Sequence, residues 1–552
     1  MKLSKPRLEV WTAVSVAAFA LYLVFLAYPM FSILKESVQG ESGSFSLMYF
    51  GKFFGDKYYS ETLLNSFKVS FAVTAISLLL GIPLAYFYSM YEIKGRNFLQ
   101  IAIILCSMSA PFIGAYSWIL LLGRSGLITR FLESMTGLEL PSIYGFKGIL
   151  LVLSTRLFPL VFLYVSGALN CIDNSLLEAS QNLACSGMRR FRRVIAPLCM
   201  PSILAAALMV FMRALADFGT PMLIGEGYRT FPVEIYKQYV GETSVNHSFA
   251  AAISVIAIAI TAVVFIAQKY LANHYRFSMN AMHPIERRKP RGVLGVLMHV
   301  YAYGLVAVSM LPQVYIVYTS FLKTSGSGSV FEKGFSLNSY KLAFKRMGTA
   351  IPNTIIISGA SLVIIILLAA LIAYLVVRRR AFLNNAIDTL SMVPYIIPGS
   401  VVGIALVISF SKAPLVLTGT AAIMIIAMCI RRLPYTIRSS VAILQQIPLS
   451  TEEAAISLGA GKLKTFFRIT APMMSNGIIS GGILSWITII TELSTSIILY
   501  NARTITLTLG IYTFVSRGTE GPAAAVATIL TAFTVGSLLL FFKISKSRDV
   551  VL

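Results

Sequence analysis

LLEASQNLACSGMRRFRRVIAPLCMPSI (Leu176–Ile203) and TEEAAISLGAGKLKTFFRITAPMMSNGI (Thr451–Ile478) are one sequence element written twice. Glu178 falls opposite Glu453, Ala179 opposite Ala454, Leu183 opposite Leu458, Phe191 opposite Phe466, Arg193 opposite Arg468 and Pro197 opposite Pro472, every pair 275 residues apart. The same offset carries Asp217 onto Glu492. Upstream the register shifts slightly: Ala85 and Tyr86 match Ala373 and Tyr374, and Pro111 matches Pro398. A repeat of this kind organises a chain before any motif does. It divides this one into a first half, 1–268, and a second, 294–552, joined by the basic, proline-bearing stretch 269–293.

Outward from the two copies the chain is apolar. Of its 552 residues 57% are hydrophobic and 12% charged, and the mean hydropathy is +0.78. Too little polar surface exists for a soluble body of this size, so lipid is the solvent. Runs long enough to span a bilayer core of about 30 Å fall at 10–34, 63–89, 98–122, 148–169, 199–224 and 248–268. The second half repeats them at 294–321, 352–377, 383–410, 413–430, 473–499 and 521–542. The expectation is an all-α membrane protein of about 12 transmembrane helices, six to each half. The formal charge of +24 is distributed as a topology signal rather than a nucleic-acid footprint. Most basic residues sit at the termini and in alternate short loops, such as Arg189, Arg190, Arg192 and Arg193, then Arg287, Arg288, Lys289 and Arg291, then Arg378, Arg379 and Arg380. By the positive-inside bias both termini, the linker and both repeated loops are expected in the cytoplasm. Parallel six-span repeats bring equivalent loops to one side.

Each repeated loop joins the fourth and fifth runs of its half. It begins with small residues, crosses a run of positive charge and ends at a proline suited to a first helical turn. Small side chains make a slim helix that a partner can approach closely, and two such helices on one face suggest two partner subunits. An ordinary amphipathic connector, duplicated with its half, is the alternative. Glu-Ala-Ala, three residues, Gly and then a Pro thirteen residues on resembles the coupling loop of binding-protein-dependent ABC importer permeases. The second copy carries the whole pattern in Glu453, Ala454, Ala455, Gly459 and Pro472. The first has Glu178, Ala179 and Pro197, with Ser180 for the second Ala and Ala184 in place of the Gly. ADFGTPMLIG (Ala216–Gly225) and TELSTSIILY (Thr491–Tyr500) are most similar to the ferric-iron permeases among fused two-repeat members. The resemblance implies a type I ABC importer permease fold and two copies of a cytoplasmic ATPase docked on the loops. It also implies an extracytoplasmic binding protein and a bacterial inner-membrane location. Ferric iron is the implied cargo; a sugar phosphate or phosphonate, or thiamine, are the alternatives.

Charge within a span is costly and marks function by default. Lys68 lies close enough to the end of its run to snorkel. Arg156, Arg213, Asp217 and Glu492 are expected to line a translocation path, with Arg213 and Asp217 paired one turn apart and the two carboxylates near the outer mouth. Holding helices together is the plainer role for that pair. Pro111, Pro394 and Pro398 are expected to bend or break helices. The chain holds no engine: G-x-x-x-x-G-K-[ST] is absent, and LGAGKLK (Leu458–Lys464) lacks its first Gly and its Ser/Thr. ATP and Mg are therefore assigned to the partner ATPase, with no cofactor in this chain. Cys106, Cys171, Cys185, Cys199 and Cys429 form no C-x-x-C pair, and the four histidines have no metal-ligand spacing. An ion-coupled secondary transporter would need no pair of docking loops, and a membrane enzyme would need a convergent His, Asp or Ser set.

Overall fold

The computed structural model describes residues 10–545, apart from 41–42, 108–110, 138–140, 186, 242–245, 275–282, 284, 291, 326–327, 329 and 380. Arg291, Arg380 and part of the 269–293 linker therefore lie outside the described residues. Among those described, nine helices are long and apolar enough to cross a membrane, or eleven when two bent pairs each count as one. The backbone of each half is a long second helix laid along the fourth: Lys57–Met90 on Phe146–Asn170, and Ala350–Arg378 on Ala421–Gln446. Glycine permits the close approach in the first half, since a Cβ on Gly81 would stand 2.6 Å from Val161 Cβ. The repeat also governs polar contacts between helices. Ser66 Oγ accepts from the Phe231 amide at 2.9 Å, and Thr354 Oγ1 accepts from the Leu507 amide at 2.8 Å.

The expected twelve spans need three corrections. The run 413–430 is misplaced: its helix is Ala421–Gln446, which starts after the turn at Gly419 and continues through Arg431, Arg432 and Arg438. Those charges ended the apolar run in the sequence, but protein carboxylates rather than lipid receive them. The run 98–122 is two helices, Arg96–Ser107 and Pro111–Leu122, and its counterpart 383–410 is Phe382–Ile396 and Gly399–Phe410, bent by 113° with Pro398 at the break. Pro394 lies inside the first of these helices without ending it. The fifth runs also break, into Ala196–Leu215 and Gly219–Ile224 in one half and Ser475–Ile490 and Ser496–Leu499 in the other.

The halves exchange their first helices. Trp11 and Phe25, from the helical segment Val10–Ser37, pack on the second half, with Trp11 4.5 Å from Tyr374 and Phe25 5.7 Å from Phe410 between ring centroids. In return Tyr301, on Gly292–Ser320, donates to the Leu80 carbonyl at 2.8 Å and meets Phe87 edge-on. Helix His247–His274 runs into the linker, whose described part is tied to the first half. Arg288 pairs with Met90–Glu92, at the end of helix Lys57–Met90, through two backbone hydrogen bonds of 3.0 Å, and the His283 amide donates to Asp173 Oδ2 at 3.1 Å.

Candidate functional site

The two repeated loops have one geometry. Asn174–Asn182 and Ser450–Ser457 are short helices, each followed by a residue in the left-handed region: Ala184 at φ 55° and Gly459 at φ 86°. Cys185 donates to the Ser180 carbonyl at 2.9 Å and Ala460 to the Ala455 carbonyl at 3.0 Å, the i,i+5 bond that closes a helix end. The alanine substituted for glycine thus keeps the turn, at a cost of about 1 kcal/mol. Next come Gly187–Arg190 and Lys462–Thr465, then single π-turns at Phe191–Ile195 and Phe466–Thr470, and then Pro197 and Pro472 in the first turn of the following helix. Tyr86 meets Phe191 edge-on at 5.3 Å and Tyr374 meets Phe466 at 5.0 Å, so equivalent aromatic pairs seat both loops.

Glu178, Ala179, Glu453 and Ala454 face outward, while Ser180 and Ala455 are buried against the body. At the tips the equivalent residues Leu183 and Leu458 are 82% and 89% exposed. The sequence pattern missed Glu452. This carboxylate is buried beneath the second loop, accepting from Arg378 Nε at 2.8 Å and from the Tyr374 hydroxyl at 3.1 Å. In the first half the equivalent positions are Leu177 and Met90, both buried. One loop is seated by an ion pair and the other by apolar packing.

A second cluster lies at the breaks in the fifth spans. Arg156 Nη1 stands 3.1 Å from Asp217 Oδ2, and Arg431 Nη1 stands 2.5 Å from Glu492 Oε1. Both members of the second pair lie 275 positions beyond the first, so the ion pair itself is duplicated. Glu492 also pairs with Arg432. Each carboxylate caps the turn after it, Asp217 accepting from the Thr220 amide at 2.9 Å and Glu492 from the Thr495 amide at 3.2 Å. Arg431 and Arg432 were overlooked because the run was ended at 430; the offset that maps Asp217 to Glu492 maps Arg156 to Arg431.

Two expectations about this cluster fail. Arg213 does not pair with Asp217, because the helix that would hold them one turn apart ends at Leu215. Arg213 lines the cavity together with Tyr395 and Tyr435. Nor are the carboxylates at the outer mouth. Asp217 meets Arg156 ten residues, about 15 Å, inside Phe146–Asn170, while Ile224 is level with the start of that helix through the Gly145 amide. The chain beyond Asp217, through Gly219–Ile224, supplies the layer at that end of the helix, so a count of residues from Pro197 misplaces the carboxylates. Arg156, Arg213, Asp217, Arg431, Arg432 and Glu492 line one cavity of about 190 Å³ between the halves. Lys68 is exposed on its helix. Among the described residues no group of three or more His, Cys, Asp or Glu is placed to hold a metal ion.

Residues 73–277 and 363–547 each match the family described as the binding-protein-dependent transport system inner membrane component. The chain is 28% identical over 536 residues to the ferric transport system permease protein FbpB of Actinobacillus pleuropneumoniae, covering 94% of this chain and 76% of that one. It is 24% identical over 560 residues to the probable ABC transporter permease protein y4fN of Sinorhizobium fredii, covering 98% and 97%. A putative 2-aminoethylphosphonate transport system permease protein, PhnU of Salmonella typhi, is 26% identical over 269 residues, 47% of this chain and 91% of its own. A solved bacterial ABC transporter involved in the import of the acidic polysaccharide alginate covers 49% of this chain at 15% identity and a TM-score of 0.39.

Proposed function

From the premise that the chain belongs to the family of binding-protein-dependent transport system inner membrane components, we propose that it forms the whole membrane path of an ATP-driven importer and transmits the ATPase stroke through its two repeated loops. The carrying observation is the pair of identically turned loops, each with an outward Glu-Ala and a bare leucine at its tip. Two copies of a cytoplasmic ATPase dock there, with Leu183 and Leu458 entering apolar grooves and Glu178 and Glu453 setting the register. ATP and Mg belong to those subunits, so this chain binds and moves solute without catalysing hydrolysis. A binding protein delivers cargo from the other face. Both termini and the linker lie in the cytoplasm, and the membrane is the bacterial inner membrane.

Ferric iron is the first substrate reading, supported by the likeness over most of the chain to permeases named for ferric transport. An anionic solute is the second, favoured by the four guanidiniums around the cavity against two carboxylates. Glu453→Lys tests the coupling role. The reconstituted complex should keep its assembly and basal ATPase activity and lose most of the stimulation by cargo-loaded binding protein. Unchanged stimulation and uptake would remove Glu453 from coupling.

A further inference from the structure

The cavity between the halves is unbalanced in charge. Arg156, Arg213, Arg431 and Arg432 face it with Asp217 and Glu492, leaving two positive charges in excess. The two signs also differ in access. The side chains of Arg156, Arg431 and Arg432 keep 20%, 12% and 13% of their surface open, while those of Asp217 and Glu492 keep 6% and 4%. The carboxylates are turned inward onto the Thr220 and Thr495 amides, so the surface offered to a guest is guanidinium. Arg213 adds a cation with no carboxylate partner among the described residues. Its repeat equivalent is Thr488, so the charge is not part of the duplicated plan. Uncompensated cations at this depth draw in a counter-charge, because charge without a partner is costly in a low-dielectric site. Planar guanidinium forks match the paired oxygens of an oxyanion. The volume of about 190 Å³ exceeds the roughly 150 Å³ that holds benzene.

We infer that this cavity is a binding site for a small dianionic oxyanion of the phosphate or phosphonate class, with Arg213 as its unshared cation. The inference rests on the path assigned above and names the chemistry of its narrow section. The probe is radiolabelled inorganic phosphate, measured by equilibrium binding to the full chain purified with its ATPase in a gluconate buffer. One phosphate should bind per chain and be displaced by methylphosphonate. Arg213→Gln should weaken binding at least tenfold, while Arg130→Gln, on an exposed helix outside the cavity, should leave it unchanged. Arg213→Lys keeps the charge and should retain part of the affinity, which locates the site even if the glutamine variant fails to assemble. No saturable binding by the unmodified protein, or equal binding by both Arg213 variants and wild type, would overturn the proposal. Uptake separates it from the path reading. Arg213→Gln that loses phosphate but transports normally would refute the path and leave the anion site standing. Loss of transport with phosphate binding intact would do the reverse.

Discussion

Replacing Glu492 with glutamine removes the one negative charge that Arg431 and Arg432 share. Asp217→Asn is the matched change in the other half, and there only Arg156 loses its carboxylate. Breaking a buried ion pair from one side costs about 3–5 kcal/mol, mostly because the abandoned charge stays buried. One stranded guanidinium, on a residue 20% open to the cavity, belongs at the low end, about 3 kcal/mol. Two stranded together, each nearer one-eighth open, belong at the high end, about 5 kcal/mol. The difference of about 2 kcal/mol is roughly a thirtyfold change in the ratio of folded to unfolded protein. Arg156→Met combined with Asp217→Asn removes both partners and should cost little more than either alone, a coupling of about 2–3 kcal/mol. Equilibrium unfolding in mixed micelles with rising SDS, followed by the fluorescence of the three tryptophans, measures all of these. If Asp217→Asn proved as damaging as Glu492→Gln, or the Arg156–Asp217 cycle strictly additive, the account of the cluster as two unequal ion pairs would be refuted.

Ala184→Gly should stabilise the first loop by about 1 kcal/mol and Gly459→Ala should destabilise the second by a similar amount, since both residues are left-handed; a shift of the same sign in the two unfolding midpoints would contradict the turn geometry. In a background with all five cysteines replaced, Glu286→Cys in the linker should react with an impermeant maleimide only after cells are permeabilised. Labelling in intact cells would invert the topology.

What the sequence made legible was what repetition preserves. The loops, the proline pair and the carboxylate pair keep a fixed offset because each occupies the same place in its half. What stayed hidden depended on contacts between segments. Arg431 and Arg432 look like the end of a span until Glu492 is seen to receive them. Glu452 differs from its exposed neighbour Glu453 only in facing Arg378. The breaks beside Asp217 and Glu492 are a few residues long inside runs that remain apolar, so hydropathy passes over them. The exchange of first helices between the halves leaves no local trace, because an apolar helix carries no label for the partner it packs on. Ala184 shows the opposite limit. The residue departs from the pattern while the fold keeps the turn, the strain being small beside the packing of the loop.

The charge of the cavity constrains the proposed cargo more tightly than likeness to relatives does. A bare trivalent cation placed about 5 Å from two unbalanced positive charges, at an effective dielectric of about 20, is opposed by roughly 20 kcal/mol. That exceeds any plausible share of an ATP-driven stroke and would close the proposed path to free ferric ion. Anionic ligands that cancel the metal's charge would remove the repulsion, and the guanidiniums would then contact ligand oxygens rather than metal. An organic phosphonate needs no such escort, because it brings the complementary charge itself. The two substrate readings therefore make the same demand on the protein at its narrow section. Arg213 meets an oxyanion in both cases, and what distinguishes them is whether a metal lies behind that oxyanion. On the proposed reading, selection between the two falls outside the cavity, to the binding protein that would deliver the cargo.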